Sequence, residues 1–165
     1  MKINKTYEAD FIGYLTNHQH ILHKITLVYS GKGYDREDLY QEIVLQLWKS
    51  YPTFKGDAAF STWMYRVALN TAITLTRRPR IIAGSERITE YPEFPDDAST
   101  LSEDLHTLYR AISMLNKIEK AIILLWLEER SYVEIADMIG ITEKNVSVKL
   151  VRIRQKLGTI ISKLQ

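Results

Sequence analysis

The chain has 165 residues, 45% of them hydrophobic and 25% charged, with only 7 glycines and 4 prolines. So few turn formers exclude a many-stranded sandwich or barrel, and zero cysteines exclude a disulfide framework, a thiolate metal site and a cysteine nucleophile. The net charge of +2 hides a division: residues 1–80 sum to +4, residues 81–104 to −6 and residues 105–165 to +4, a pattern suited to two modules that meet polyanions.

The opening MKINKTYEADFIG lacks the apolar stretch of a signal peptide, and no apolar run approaches the ~20 residues that span a bilayer. A cytoplasmic protein without membrane insertion is expected. Its fold class is expected to be all-α, with two small helical domains joined by an acidic linker.

Residues 7–29 read as one helix with apolar Phe11, Ile12, Leu15, Ile21, Leu22, Ile25 and Val28, ending near Ser30-Gly31. His18, His20 and His23 lie in it. Only His20 and His23 share a face and no third ligand accompanies them, so they read as surface histidines, not as a metal site. Asp35 then caps a second helix, DREDLYQEIVLQLWKSYP, which Pro52 stops. Its apolar face holds Leu39, Tyr40, Ile43, Val44, Leu47 and Tyr51. The opposite face holds Asp38, Gln41, Glu42 and, out of pattern, Leu45, a small docking patch for a basic partner helix.

After Pro52 the loop TFKGDAAFST brings in Phe54 and Phe60. The third helix follows, with Met64, Val67, Ala68, Thr71 and Leu75 expected to be buried. Arg66, Asn70 and Arg77 lie on another face beside Trp63, groups that suit phosphates and unstacked bases. Pro79, Pro92, Pro95 and Asp96-Asp97 mark residues 81–104 as the linker. Modules of this size have marginal cores and often gain stability from a larger partner.

Beyond the linker, Asn116 with Glu119 and Ser131 with Glu134 are two capping-box pairs. Gly140 supplies a left-handed turn and Thr142 caps a long last helix. A short helix, a Gly turn and a long helix, with small Ala136 at the crossing, make a helix-turn-helix wedged by Ile135, Ile139, Ile141 and Val146. The last helix is expected to bury Val146, Leu150, Ile153, Leu157 and Ile160. Its flank of Asn145, Lys149, Arg152 and Lys156 can follow phosphates or reach major-groove base edges, with Val148 and Val151 facing outward.

These stretches resemble bacterial RNA polymerase sigma factors of the extracytoplasmic-function type. The resemblance rests on DREDLYQEIVLQLWKSYPTFKGDAAFSTWMYRVALNTAI, with D-x-x-D-L-x-Q-E and F-S-T-W-x-Y-R, and on SYVEIADMIGITEKNVSVKLVRIRQKL. It implies a core-binding and −10 promoter-melting domain over 1–80, the linker over 81–104, and a helix-turn-helix domain reading the −35 element over 105–165. By position it implies that Asp38, Gln41, Glu42 and Leu45 bind the clamp coiled coil of the polymerase largest subunit. Phe54, Lys55, Phe60, Ser61, Trp63, Arg66 and Asn70 would meet the −10 element and the melted strand. Thr142, Lys144, Asn145, Val148, Lys149 and Arg152 would meet the −35 element. The family often carries a basic residue where Leu69 stands.

The implied partners are core RNA polymerase, promoter DNA both double- and single-stranded, and an anti-sigma factor. No cofactor, no metal and no enzymatic activity are expected. Readers about 17 base pairs apart need roughly 58 Å of duplex, and a 24-residue linker can extend to roughly 80 Å. A helix-turn-helix regulator independent of polymerase would account for residues 105–165 but leave DREDLYQE and the aromatic loop unexplained.

Overall fold

The computed structural model describes residues 5–31, 34–76 and 102–165. Eight α-helices occur among them: α1 (Lys5–Asn17), α2 (Gln19–Tyr29), α3 (Arg36–Ser50), α4 (Phe60–Thr76), α5 (Glu103–Ser113), α6 (Lys117–Leu127), α7 (Tyr132–Ile139) and α8 (Glu143–Leu164). A 3-10 turn, Tyr51–Thr53, holds Pro52 directly after α3. Most of the expected linker, with Arg77, lies outside the described residues. Its last two positions, Glu103 and Asp104, already form the first turn of α5, which Ser102 caps.

The helix expected over 7–29 is two. His18 breaks the backbone at φ −119°, ψ 13°, and its Nδ1 donates to the Tyr14 carbonyl at 2.8 Å, occupying an acceptor at the end of α1. The break frees α2 to be surrounded. Ile21, Leu22, Ile25, Leu27, Val28 and Tyr29 are all buried, as is Thr26, whose hydroxyl donates to the Leu22 carbonyl at 2.8 Å. Five consecutive buried residues, Ile25 to Tyr29, cover every side of the second half of α2. A stretch without a solvated face must be enclosed, and α2 packs on α1, α3, α4, α5 and α6.

The two modules therefore share one continuous core. Tyr29 is buried within it and donates its hydroxyl proton to the Lys117 carbonyl at 2.6 Å. Helix α4 is buried on two stripes. Met64 and Ala68 are covered as expected, while Val67, Thr71 and Leu75 are only half-buried. Tyr65, Leu69 and Ala72 make the second stripe, with Tyr65 1% exposed. The reason is tertiary: α4 packs on α6 as well as on α2 and α3. Leu69 is thus a core side chain, where a cation would have no water.

In the second module the local signals hold. Both capping boxes form, Gly140 takes φ 80° and its N–H returns to the Ala136 carbonyl at 2.9 Å. The Thr142 side chain accepts from the Asn145 N–H at 3.1 Å. Val146, Leu150, Ile153 and Leu157 are buried, with Ile160 half-buried.

Candidate nucleic-acid and polymerase interfaces

Three surfaces carry the candidate residues. The first lies between α1 and α3. Leu45 is exposed, as are Asp38 and Gln41, while Glu42 is half-buried. Leu45 is not isolated. It edges an apolar groove of about 450 Å³ lined by Phe11, Ile12, Leu15, Val44 and Trp48, with Glu8 and Gln41 among its polar lining. Ile12 of α1 is 52% exposed and Leu45 is 42% exposed. The periodicity of α3 reveals one wall of this groove; the other belongs to a helix that only folding brings alongside.

The second surface is the loop after the 3-10 turn together with the start of α4. Phe60 is its hub and is only 6% exposed. Trp63 lies at 5.3 Å between ring centroids, Phe54 meets it edge-on at 5.4 Å, and Tyr14 stacks on it at 4.7 Å with planes 16° apart. Phe60, expected at the melted strand, is nearly covered in this structure, with the other rings packed around it. Phe54, Ser61 and Trp63 are half-buried, and Lys55 and Asn70 are exposed.

Part of this surface is covered by the second module. Arg66 Nη2 lies 2.7 Å from Asp137 Oδ2, an ion pair with side chains 47% and 76% exposed. Arg130 donates to Thr62 Oγ1 at 2.8 Å and to Ser61 Oγ at 3.3 Å, and also pairs with Glu134 of α7 at 3.6 Å. Lys24 of α2 pairs with Glu128. Burial pushes Glu128 up, but the bond and charge of Lys24, with smaller help from Tyr65 and His20, outweigh it and leave the carboxyl below its usual range. Tyr65 faces this carboxylate without closing a hydrogen bond of good geometry. Burial first, and the Glu128 charge second, raise its phenol.

The backbone that aims Glu128 and Arg130 is unusual. Helix α6 ends in a Schellman turn, with the Arg130 N–H on the Leu125 carbonyl and the Glu129 N–H on the Trp126 carbonyl. Its left-handed residue is Glu129, φ 59°, where glycine is usual.

The third surface is the outer side of α8. Thr142, Lys144, Asn145, Val148, Lys149 and Arg152 are all exposed, along the first ten residues of the helix. Lys156, expected on the same flank, is instead tied to Glu119 at 3.0 Å, and the Arg154 guanidinium sits over the Trp126 ring at 5.5 Å. These two contacts fasten α8 to α6. Two of the three histidines of the first module are also engaged: His23 stacks on Tyr40 at 5.4 Å and His18 lies 5.4 Å from Phe60.

Comparison with known proteins follows the same division. Residues 15–80 match the family Sigma-70 region 2, and residues 105–157 match Sigma-70, region 4. The chain is 29% identical to the ECF RNA polymerase sigma factor SigG of Mycobacterium tuberculosis over 160 residues, which cover 79% of this chain and 43% of SigG. It therefore spans under half the length of that relative. SigW of Bacillus subtilis is 28% identical over 141 residues, covering 77% of this chain and 75% of its own. The sigma-E factor of Escherichia coli is 27% identical over 179 residues, covering 99% and 92%. Among solved structures, the fold is similar to the sigma factor RpoE in complex with the anti-sigma factor NepR from Bartonella quintana, with TM-score 0.70, 22% identity and 93% of this chain covered against 97% of that one. It is also similar to CnrH in complex with the cytosolic domain of CnrY, with TM-score 0.65, 21% identity, and 94% and 90% covered. Two regions of one family follow each other on a single chain, and relatives of one type match across both: the chain belongs to the extracytoplasmic-function group of sigma-70 family proteins.

Proposed function

We propose that the protein is a dissociable specificity subunit of RNA polymerase, not itself an enzyme, that reads −35 and −10 promoter elements and promotes melting. The groove between α1 and α3 takes the clamp coiled coil of the polymerase largest subunit. Exposed Leu45 and Ile12 receive apolar side chains there, while Glu8, Asp38 and Glu42 favour a basic flank. Residues Lys144, Asn145, Val148, Lys149 and Arg152 of α8 enter the major groove of the −35 element, with Thr142 fixing the helix start. Phe54, Lys55, Ser61, Trp63, Arg66 and Asn70 handle the −10 element once its bases unstack.

The observation that carries this reading is the pairing, in one chain, of an exposed duplex-reading helix with a ring-lined surface of no use to closed duplex, whose bases hide their faces. Reading both elements together needs roughly 58 Å between them. The modules therefore part on the promoter, and Arg66, Ser61 and Thr62 are released from Asp137 and Arg130. An anti-sigma factor fits as a regulator, as the RpoE–NepR complex illustrates for a relative of the same fold. The site of action is the cytoplasm, where promoter DNA is met.

The test is run-off transcription with core polymerase on a promoter library. The full chain should produce transcripts absent with core alone, and Leu45→Asp should weaken core binding by about tenfold or more. No promoter-dependent transcript, together with no co-elution with core polymerase, overturns the reading.

A further inference from the structure

Tyr14 belongs to α1, a helix with no residue in the DNA-contacting set above. Its ring stacks on Phe60 at 4.7 Å with planes 16° apart, and it approaches Phe54 edge-on, 6.5 Å between centroids. Phe60 is only 6% exposed and has no face left to offer, whereas Tyr14 is 41% exposed. One face of Tyr14 is thus backed by a fixed ring while 41% of the residue stays open to water. The His18 bond to the Tyr14 carbonyl, 2.8 Å, holds the backbone at this point, where α1 stops. A ring held rigidly on one side and open on the other extends a stack at little cost in side-chain freedom.

We propose that Tyr14 is a base-stacking residue of the single-strand surface, continuing the stack Phe60–Tyr14 with one unpaired base. This rests on the reading that the aromatic loop and the start of α4 handle unpaired DNA. It shifts the platform itself from Phe60, which is buried, to a residue of the preceding helix pair. Trp63 and Phe54, half-buried beside the same hub, form the neighbouring wall. The base is recognised by its π-face, so the contact tolerates sequence and fixes the path of the strand.

The test titrates the full chain with a fluorescent single-stranded 20-mer of mixed sequence and with the same sequence as duplex. Tyr14→Leu keeps an apolar cover on Phe60 but lacks a π-face, and should weaken single-strand binding by about fivefold while leaving duplex binding unchanged. Tyr14→Phe should bind as the parent does, and Tyr14→Trp at least as tightly. Thermal unfolding checks that each variant is folded. Equal losses on single strand and duplex for Tyr14→Leu, or a Tyr14→Phe loss as large as that of Tyr14→Leu, would overturn the stacking role. If Trp63→Ala weakens single-strand binding and Tyr14→Leu does not, this proposal falls and the wider reading stands. If neither variant changes it, both fall.

Discussion

Helices α4 and α8 both carry a candidate DNA face, and they present it in opposite ways. On α8 the polar groups stand in water from Thr142 to Arg152, with Val148 and Val151 exposed among them, and Val146, Leu150, Ile153 and Leu157 point inward on a separate stripe. On α4 the face is ringed by aromatics packed on Phe60, and its cation and hydroxyls are held by Asp137 and Arg130. The difference follows from the two forms of DNA. Base edges in a duplex are read by hydrogen-bonding groups, which cost nothing to leave hydrated. Unstacked bases are held by ring faces, and those left open in the free chain would be an exposed apolar patch. A duplex reader can wait in the open, whereas a single-strand reader is better stored under cover.

The joint core by which α4 is held under the second module contributes to folding, and the open face of α8 does not. Tyr65→Ala, which empties a site 1% exposed in the joint core, should cost about 3–5 kcal/mol. Lys149→Ala should stay within about 0.5 kcal/mol. Urea unfolding measures both, and comparable costs would erase the distinction.

Within α8 the contrast sharpens by position. Lys144, Asn145 and Val148 lie nearest the capped start, so Asn145→Ala should shift discrimination by ~1–3 kcal/mol at one or two base pairs. Arg152→Ala should weaken all upstream sequences alike and lower the salt slope by about one unit. Promoter-library selection at two salt concentrations separates the two. A changed preferred sequence for Arg152→Ala with a uniform loss for Asn145→Ala would reverse the assignment.

On α4 the matching experiment is Trp63→Ala, expected to reduce transcription from closed duplex roughly tenfold more than from a pre-opened bubble. Equal losses on the two templates would deny α4 its single-strand role.

The smallest effect concerns the cover itself. Glu128 titrates lower in the folded chain than an ordinary glutamate, whose value is 4.5. Its contribution to stability is therefore complete above that value and is lost as pH falls through the folded one. Glu128→Gln should flatten the acid limb of a stability curve below about pH 4.5, and an unchanged limb would remove Glu128 from the interface energetics.

What the sequence discloses of this design is what local rules govern. The capping boxes at Asn116 and Ser131, the Gly140 turn and the Thr142 cap are three- and four-residue relationships, and each forms as the residue types require. The break at His18 is not of that kind. No proline or glycine marks it, and a side chain bonding back to Tyr14 terminates α1. The second stripe on α4 escapes periodicity because Tyr65 gains a burying neighbour only when distant residues dock. The groove beside Leu45 escapes it for the same reason, since Ile12 comes from another helix. The burial of Phe60 escapes the sequence too, because the rings that enclose it come from α1, the 3-10 turn and the loop as well as from its own helix.

Arg130 has partners on both sides of the module boundary. Joined, its guanidinium holds Ser61 and Thr62 across the boundary and Glu134 four residues along its own chain. Were the modules to part as proposed, it would lose two hydroxyls, which water replaces, and retain the carboxylate. Both Glu134 and Arg130 belong to the second module, so this pair does not depend on the first, whereas the Arg66–Asp137 and Lys24–Glu128 pairs do. Arg130 thus carries its own counterion to the boundary, and opening the junction would cost two ion pairs but leave that guanidinium paired.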